Sequence, residues 1–189
     1  MVEMTDEATR LLREAGAILE GHFQYTSGRH GALYVEKFRL LERPRATTEL
    51  CRRIADRFRE AKVGVVAGPT TGGTIVAFET ARQLEAKAFF AERDADEEGR
   101  TFARGFTFAP GERTLVVDDV LTTGGSLRET LRAVRAAGGE PVGVAVIVDR
   151  TGGQTDFGLP FYGCLTLEIE TYPPEDCPLC AQQAPLTIT

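Results

Sequence analysis

Two adjacent carboxylates, Asp118 and Asp119, stand directly ahead of Val120, Leu121, Thr122, Thr123, Gly124, Gly125 and Ser126, a run that combines hydroxyl donors with glycines. A glycine-rich turn that opens a helix offers an anion unpaired backbone N–H groups and the positive end of the helix dipole. Glycines also let a phosphate come close to the backbone. Acids beside such a turn can accept hydrogen bonds from vicinal hydroxyls, so the set suits a phosphorylated sugar. The alternative is a packing turn whose acids only cap the helix.

The elements that must position this turn are legible around it. Leu115, Val116 and Val117 are apolar on both faces, as a central parallel strand requires. Leu127, Leu131, Val134 and Ala137 recur at helical spacing, and Gly138-Gly139 closes that helix. A second strand–turn–helix unit runs from a strand at 63–67 through Gly68-Pro69-Thr70-Thr71-Gly72-Gly73-Thr74 to a helix ending near Leu84, which reads either as a second anion site or as a glycine turn needed for packing. Further strands are predicted at 87–91, at 142–148 ending in Asp149-Arg150, and at 164–169. A helix from Pro44 to about 61 buries Leu50, Ile54 and Phe58. Strands alternating with helices mean an α/β domain with a mostly parallel sheet, and ligands bind such sheets at the strands' carboxyl ends. Both turns and Arg150 fall at such ends.

The remaining segments are less regular. Thr5 can cap a first helix with Asp6 and Glu7 in its first turn and an apolar face of Ala8, Leu11, Leu12, Ala15 and Leu19. From 21 to 30 aromatic and small polar residues break the period, and 32–35 is strand-like. This piece reads either as a hairpin covering the core or as a hood over a planar ligand. The charged segment 92–100 reads as a solvated loop, 101–108 as a hairpin strand, and the proline-bearing C-terminus as a tail.

The totals bound the class. At 189 residues, 42% hydrophobic and 26% charged, the chain fits one ordinary globular domain, 1–189. No apolar run approaches a membrane span, the acidic N-terminus is no signal peptide, and a cytoplasmic protein is expected. The net charge of −6 argues against a broad nucleic-acid surface. A phosphate-loop NTPase is excluded because Gly-x4-Gly-Lys-Ser/Thr is absent. Only Lys37, Lys62 and Lys87 are lysines and asparagine is missing, a bias that fits a GC-rich genome or heat adaptation equally. Cys51 and Cys164 lie in apolar segments and read as reduced core residues. Cys177-Pro178-Leu179-Cys180 has half of a zinc-site spacing, but no second Cys/His pair with ligand spacing accompanies it. His22 and His30 lie near the other end, so a plain terminal turn is expected ahead of a zinc site completed by pairing across a dimer.

The acidic pair and its Thr/Gly-rich loop resemble the phosphoribosyl pyrophosphate (PRPP) motif of type I phosphoribosyltransferases. Over nearly the whole chain, the order of pieces resembles the orotate phosphoribosyltransferase family, in a thermophile-type branch. The matching pieces are Phe23-x-x-x-Ser27-Gly28-Arg29, Tyr34-Val35-Glu36-Lys37, Gly68-Pro69, Phe90-Ala91-Glu92-Arg93, the central motif, Val148-Asp149-Arg150 and the Tyr172–Cys180 tail. The resemblance implies a type I phosphoribosyltransferase fold, a Rossmann-like sheet flanked by helices, with an N-terminal hood at roughly 20–40 and a mobile lid at roughly 93–105. It implies a Mg²⁺-dependent transfer from PRPP to orotate in pyrimidine (UMP) synthesis, with the metal held mainly through PRPP and no protein ligand assigned. It implies a homodimer sharing the lid, while the charge and the lack of a long apolar run lead to the expectation of neither a nucleic-acid nor a membrane partner. The implied PRPP contacts are Asp118, Asp119, 120–126, Thr71, Gly72, Arg93 and Lys37, with Asp118, Asp119 and Arg93 serving catalysis. The implied orotate contacts are Thr122, Arg150, Thr26, Tyr34 and Val35.

The chain departs from the family pattern where Thr26 and Gly72 replace common lysines. Asp94, Glu97 and Gly99 likewise replace a basic lid, leaving Lys37, Arg100 and Arg104 as candidate cations. A purine phosphoribosyltransferase is the nearest rival, although the acid that hypoxanthine-guanine enzymes carry at the Thr122 position is missing. A PRPP-sensing regulator is the rival from another class.

Overall fold

The computed structural model describes residues 7–94 and 99–189. The Thr5 cap and Asp6 lie outside the described residues, as do lid residues 95–98.

Helix α1 (Glu7–Glu14) leads into strands β1 (Ile18–Gln24) and β2 (His30–Val35), a short helix α2 (Lys37–Leu41) and helix α3 (Pro44–Phe58). Strand β3 (Val65–Pro69), helix α4 (Gly72–Leu84) and strand β4 (Lys87–Arg93) follow, then β5 (Arg100–Thr101), β6 (Glu112–Leu121) and helix α5 (Gly125–Ala136). Strands β7 (Gly139–Asp149), β8 (Phe161–Thr166) and β9 (Thr171–Tyr172), helix α6 (Pro178–Ala181) and strand β10 (Leu186–Ile188) complete the chain.

The main sheet has the order β5-β4-β3-β6-β7-β8. Its pairs are parallel except for the antiparallel β4–β5 edge. Strand alternation divides the core between two faces. Leu115 and Val117 of β6 pack with Leu50, Ile54, Phe58 and Val76 from α3 and α4. Val116 packs on the other face with Leu127, Leu131 and Val134 of α5. Helices on both faces explain why 115–117 reads as continuously apolar. They also leave only the strand ends open.

Four expectations need correction. Leu19 is not on the first helix, which ends at Glu14. Gly16, at a left-handed φ of 69°, ends the turn, with Ala17 N–H donating to Leu12 O at 2.9 Å, so Leu19 lies in β1. Residues 101–108 are strand only at Arg100–Thr101. Beyond that, Phe106 stacks on Phe89 at 4.6 Å and Phe108 meets it edge-on at 4.9 Å, so ring packing rather than a ladder fixes the segment. The last main-sheet strand is Phe161–Thr166, earlier than 164–169.

The C-terminus does not trail off either. It returns to the hood, where β10 pairs parallel with β1 and β9 antiparallel with β2, giving a second sheet of order β10-β1-β2-β9. Arg29 fastens the same join, with Nε donating to Thr171 Oγ1 at 2.9 Å. The hood therefore includes chain well beyond 20–40.

Candidate active site

Strands β3 and β6 lie side by side in register, with Ala67 opposite Val116, so the turns after them open next to each other. A cavity of about 360 Å³ lies there, lined by Tyr34, Val35, Lys37, 69–72, Asp118, Asp119, Val120, Thr122, Ser126 and Arg150. A smaller polar hollow adjoins it, lined by Asp118 and by the 120–127 loop. The loop turns because Gly124 takes φ 80°, a left-handed conformation that costs glycine little, and α5 begins at the next residue. No side chain caps α5, so its first N–H groups remain available to a ligand anion. Helix α4 likewise starts without a side-chain cap, at Gly72.

The acidic pair is held by its own backbone. Asp119 N–H donates to Asp118 Oδ1 at 2.8 Å, and Val120 N–H donates to Asp119 Oδ1 at 2.6 Å. Both residues are buried against the amino end of α4, whose dipole favours negative charge. Gly72 makes the approach possible, since a Cβ there would lie 1.7 Å from Asp119 Oδ2. Burial pushes the Asp118 carboxyl up to about 8, and the neighbouring Asp119 charge adds to the rise. Lys37 Nζ pairs with Asp119 Oδ2 at 3.1 Å. The position that commonly carries lysine is thus glycine, while a lysine from the hood's exit supplies the local positive charge.

Arg150 sits at the end of β7, opposite the acids. Its backbone N–H donates to Leu121 O at 2.9 Å. Its guanidinium lies 4.8 Å from the Tyr25 ring centroid, and its buried Nε has no hydrogen-bond partner among the described residues. A buried donor left unpaired is costly unless a ligand meets it. Tyr25, which donates to Leu33 O, was not singled out from the sequence. Neither was the fixing role of Asp149, which accepts from Thr151 N–H at 2.8 Å and Gly153 N–H at 2.9 Å. The aromatic content of 21–30 signalled the first, and a buried acid beside a strand-end arginine could have signalled the second.

The cations of the β4–β5 hairpin point in different directions. Arg100 is buried: it donates to Ala91 O at 3.0 Å and lies 3.4 Å from Glu129. Burial holds its guanidinium below its usual range, and the charges of Glu129 and, less strongly, Asp118 oppose that shift. Arg104 faces outward, with Nε and Nη2 each donating to the Glu92 carboxylate at 3.0 Å. Arg93 is exposed at the end of β4 and does not line the cavity. Thr26 is exposed in the β1–β2 turn, also away from the lining. Leu121, Thr123, Gly124 and Gly125 line the smaller hollow rather than the larger cavity. A wider apolar depression of about 690 Å³ lies between α1 and the start of α3, without converging phosphate donors.

A family model described as the phosphoribosyl transferase domain matches residues 39–173. An orotate phosphoribosyltransferase of Carboxydothermus hydrogenoformans is 48% identical over 94% of this chain and 93% of its own. One of Pelotomaculum thermopropionicum is 47% identical over 95% and 94%. Among solved structures, orotate phosphoribosyltransferase from Aeropyrum pernix superposes with a TM-score of 0.69 at 26% identity, over 84% of this chain and 93% of that one. The Mycobacterium tuberculosis enzyme in complex with PRPP gives 0.66 at 29% identity, over 85% and 94%. With the acidic pair and the uncapped α5 turn meeting at one sheet edge, the chain belongs to the type I phosphoribosyltransferases, among the orotate phosphoribosyltransferases.

Proposed function

We propose that the chain transfers the 5-phosphoribosyl group of PRPP to orotate, giving orotidine 5′-monophosphate and pyrophosphate in pyrimidine synthesis. One observation carries the choice of base: the buried, unpartnered Arg150 Nε at the cavity that also holds the acidic pair. Orotate brings a carboxylate that a guanidinium can bind through paired, charge-assisted hydrogen bonds, and a purine brings none. Tyr25, Tyr34 and Val35 shape the hood side against the ring, and Thr26 reaches it only if the turn shifts.

The 5′-phosphate occupies the hollow of 120–126, on the amides at the start of α5, with Thr122, Thr123 and Ser126 as hydroxyl donors. Asp118 and Asp119 accept from the ribose hydroxyls. Thr71 and Gly72, at the start of α4, face the pyrophosphate, with Lys37, Arg93 and Arg100 as the nearby positive groups. During transfer the bond from orotate N1 to the anomeric carbon forms as the bond to the pyrophosphate oxygen breaks, and the N1 proton is released. The ribose becomes oxocarbenium-like and the leaving group gathers negative charge, so cations placed there stabilise the transition state.

Magnesium, when bound with PRPP, adds positive charge on the pyrophosphate oxygens. The acids fit a metal held through PRPP rather than by protein. Asp119 is already engaged by Lys37 and Val120, and Asp118 accepts from a backbone amide. The whole chain works as one unit in this reading, in a cytoplasmic setting supported by the free thiols Cys51 and Cys164. Within the described residues, no helix is long and apolar enough to cross a membrane. The reading also includes a homodimer sharing the β4–β5 hairpin, supported by the exposed apolar side chains Ile75 and Phe78 on α4.

Purified protein with PRPP and magnesium is offered orotate, adenine, hypoxanthine and uracil in parallel, with product identified by mass. Orotidine monophosphate from orotate alone is the expected result. Turnover of a purine alone would overturn the reading, and PRPP binding without turnover of any base would make the protein a sensor.

A further inference from the structure

The chain's only two histidines, His22 and His30, meet half of its cysteines away from the PRPP cavity. His22 Nε2 lies 3.0 Å from His30 Nδ1, 3.5 Å from Cys177 Sγ and 3.6 Å from Cys180 Sγ. Cys180 Sγ lies 3.3 Å from His30 Nδ1, and all four ligand atoms fall within 4.8 Å of one another. A tetrahedral zinc with Zn–N near 2.0 Å and Zn–S near 2.3 Å separates its ligand atoms by about 3.3–3.8 Å. The three nitrogen–sulfur spacings of 3.3–3.6 Å fall in that range, and the nitrogen–nitrogen spacing of 3.0 Å lies a few tenths of an ångström below it, so small side-chain shifts seat the ion.

We propose that His22 Nε2, His30 Nδ1, Cys177 Sγ and Cys180 Sγ bind one structural zinc ion. Three of the four residues are buried, and Cys180 closes the outer side. His22 Nδ1 lies 2.9 Å from Ala184 O, which sets that nitrogen as the donor and leaves the Nε2 lone pair aimed into the cluster. Such a carbonyl behind a ligating imidazole fixes both tautomer and ring orientation. Two thiolates and two imidazoles match zinc in ligand type, and four protein ligands leave no open position for a substrate.

The pairing could not be seen from linear spacing. His22 and His30 come from the two strands of a hairpin, and the cysteines come from a Cys-x-x-Cys turn at the far end of the chain. The turn is a real one, with Ala181 N–H donating to Cys177 O at 3.2 Å, but it is seated on the hood. The ion therefore staples the C-terminus to the hood. That join otherwise rests on β9 and β10, strands of two and three residues, and on the Arg29–Thr171 hydrogen bond. Short edge pairings of this kind are weak alone.

The test starts from the unaltered full chain, purified without added metal or chelator. One zinc per chain by elemental analysis is expected. Exchange for cobalt should give the intense visible bands of a tetrahedral site and a near-ultraviolet thiolate-to-cobalt band. Stripping with a strong chelator should lower the melting temperature, and one equivalent of zinc should restore it. Cys177→Ser, Cys180→Ser and His22→Asn should each lose the bound zinc, while Cys51→Ala keeps it. Folded, unaltered protein that neither contains zinc nor gives the cobalt bands would overturn the site, whatever the variants do. A Cys177–Cys180 disulfide in protein kept under reducing conditions would overturn it too.

Discussion

At the residue scale, the site rests on charged groups removed from water and given few, specific partners. Arg150 is the clearest, because its buried Nε has no hydrogen-bond partner among the described residues and its guanidinium is held over Tyr25. A hydrogen bond to a charged group contributes about 1.5–3 kcal/mol. Arg150→Ala should therefore raise the orotate KM by about tenfold to a hundredfold and leave the PRPP KM near its original value. Steady-state kinetics with each substrate varied in turn checks this, and equal changes in both constants would remove Arg150 from the base subsite.

Asp118 gives a second residue-scale expectation. Its carboxyl is raised from 3.8 to about 8, so between these values the unfolded chain has released a proton that the folded chain still holds. The folded state is thus penalised increasingly as pH rises from about 4, and in full above about 8. Asp118→Asn removes that penalty. The variant should melt higher than the parent by a margin that widens with pH across this window, while losing PRPP affinity. A margin that stays constant from pH 5 to 9, measured by thermal denaturation, would count against a proton held on Asp118.

At the element scale, the amino end of α4 and the end of β6 are built against each other. A Cβ at Gly72 would occupy the place of Asp119 Oδ2. Gly72→Ala should push the carboxylate aside, costing about 1–3 kcal/mol of stability and weakening PRPP binding about tenfold or more. Calorimetric titration with PRPP, alongside melting curves, decides it; affinity equal to the parent's would show that the acids have slack. The β4–β5 hairpin makes a different prediction. Arg93 stands at its exposed base, in register with the buried Arg100. If the hairpin brings charge to the leaving pyrophosphate, Arg93→Ala lowers kcat by about a hundredfold with little change in the orotate KM. Unchanged turnover would assign that role to Arg100 or Lys37 instead.

At the scale of the molecule, the carboxyl ends of the main-sheet strands supply the floor of the cavity, and the hood supplies a wall through Tyr34, Val35 and Lys37. Ile75 and Phe78 are 40% and 65% exposed on α4, the helix whose amino end opens at the cavity. Covering them with a second copy would bring two sites close together and complete each with a neighbour's hairpin. Phe78→Glu should then shift the protein from dimer to monomer in sedimentation experiments at micromolar concentration, with loss of kcat. A parent protein that sediments as a monomer throughout would end the shared-lid reading.

Sequence alone determined the parts whose signal is local. The strand–turn–helix around Asp118 to Ser126, the second unit around Gly68 to Thr74, and Arg150 at a strand end were all legible. Apolar period and glycine placement act within a few residues, and a parallel sheet then has one ligand edge. Tertiary structure decided what depends on residues far apart in the chain. It carried Lys37 to Asp119, laid Tyr25 over Arg150, and separated Arg100 from Arg104. It also returned the C-terminal Cys-x-x-Cys to His22 and His30 across more than 140 residues of chain. No periodicity records such meetings, because they are fixed by how elements pack once the chain has folded.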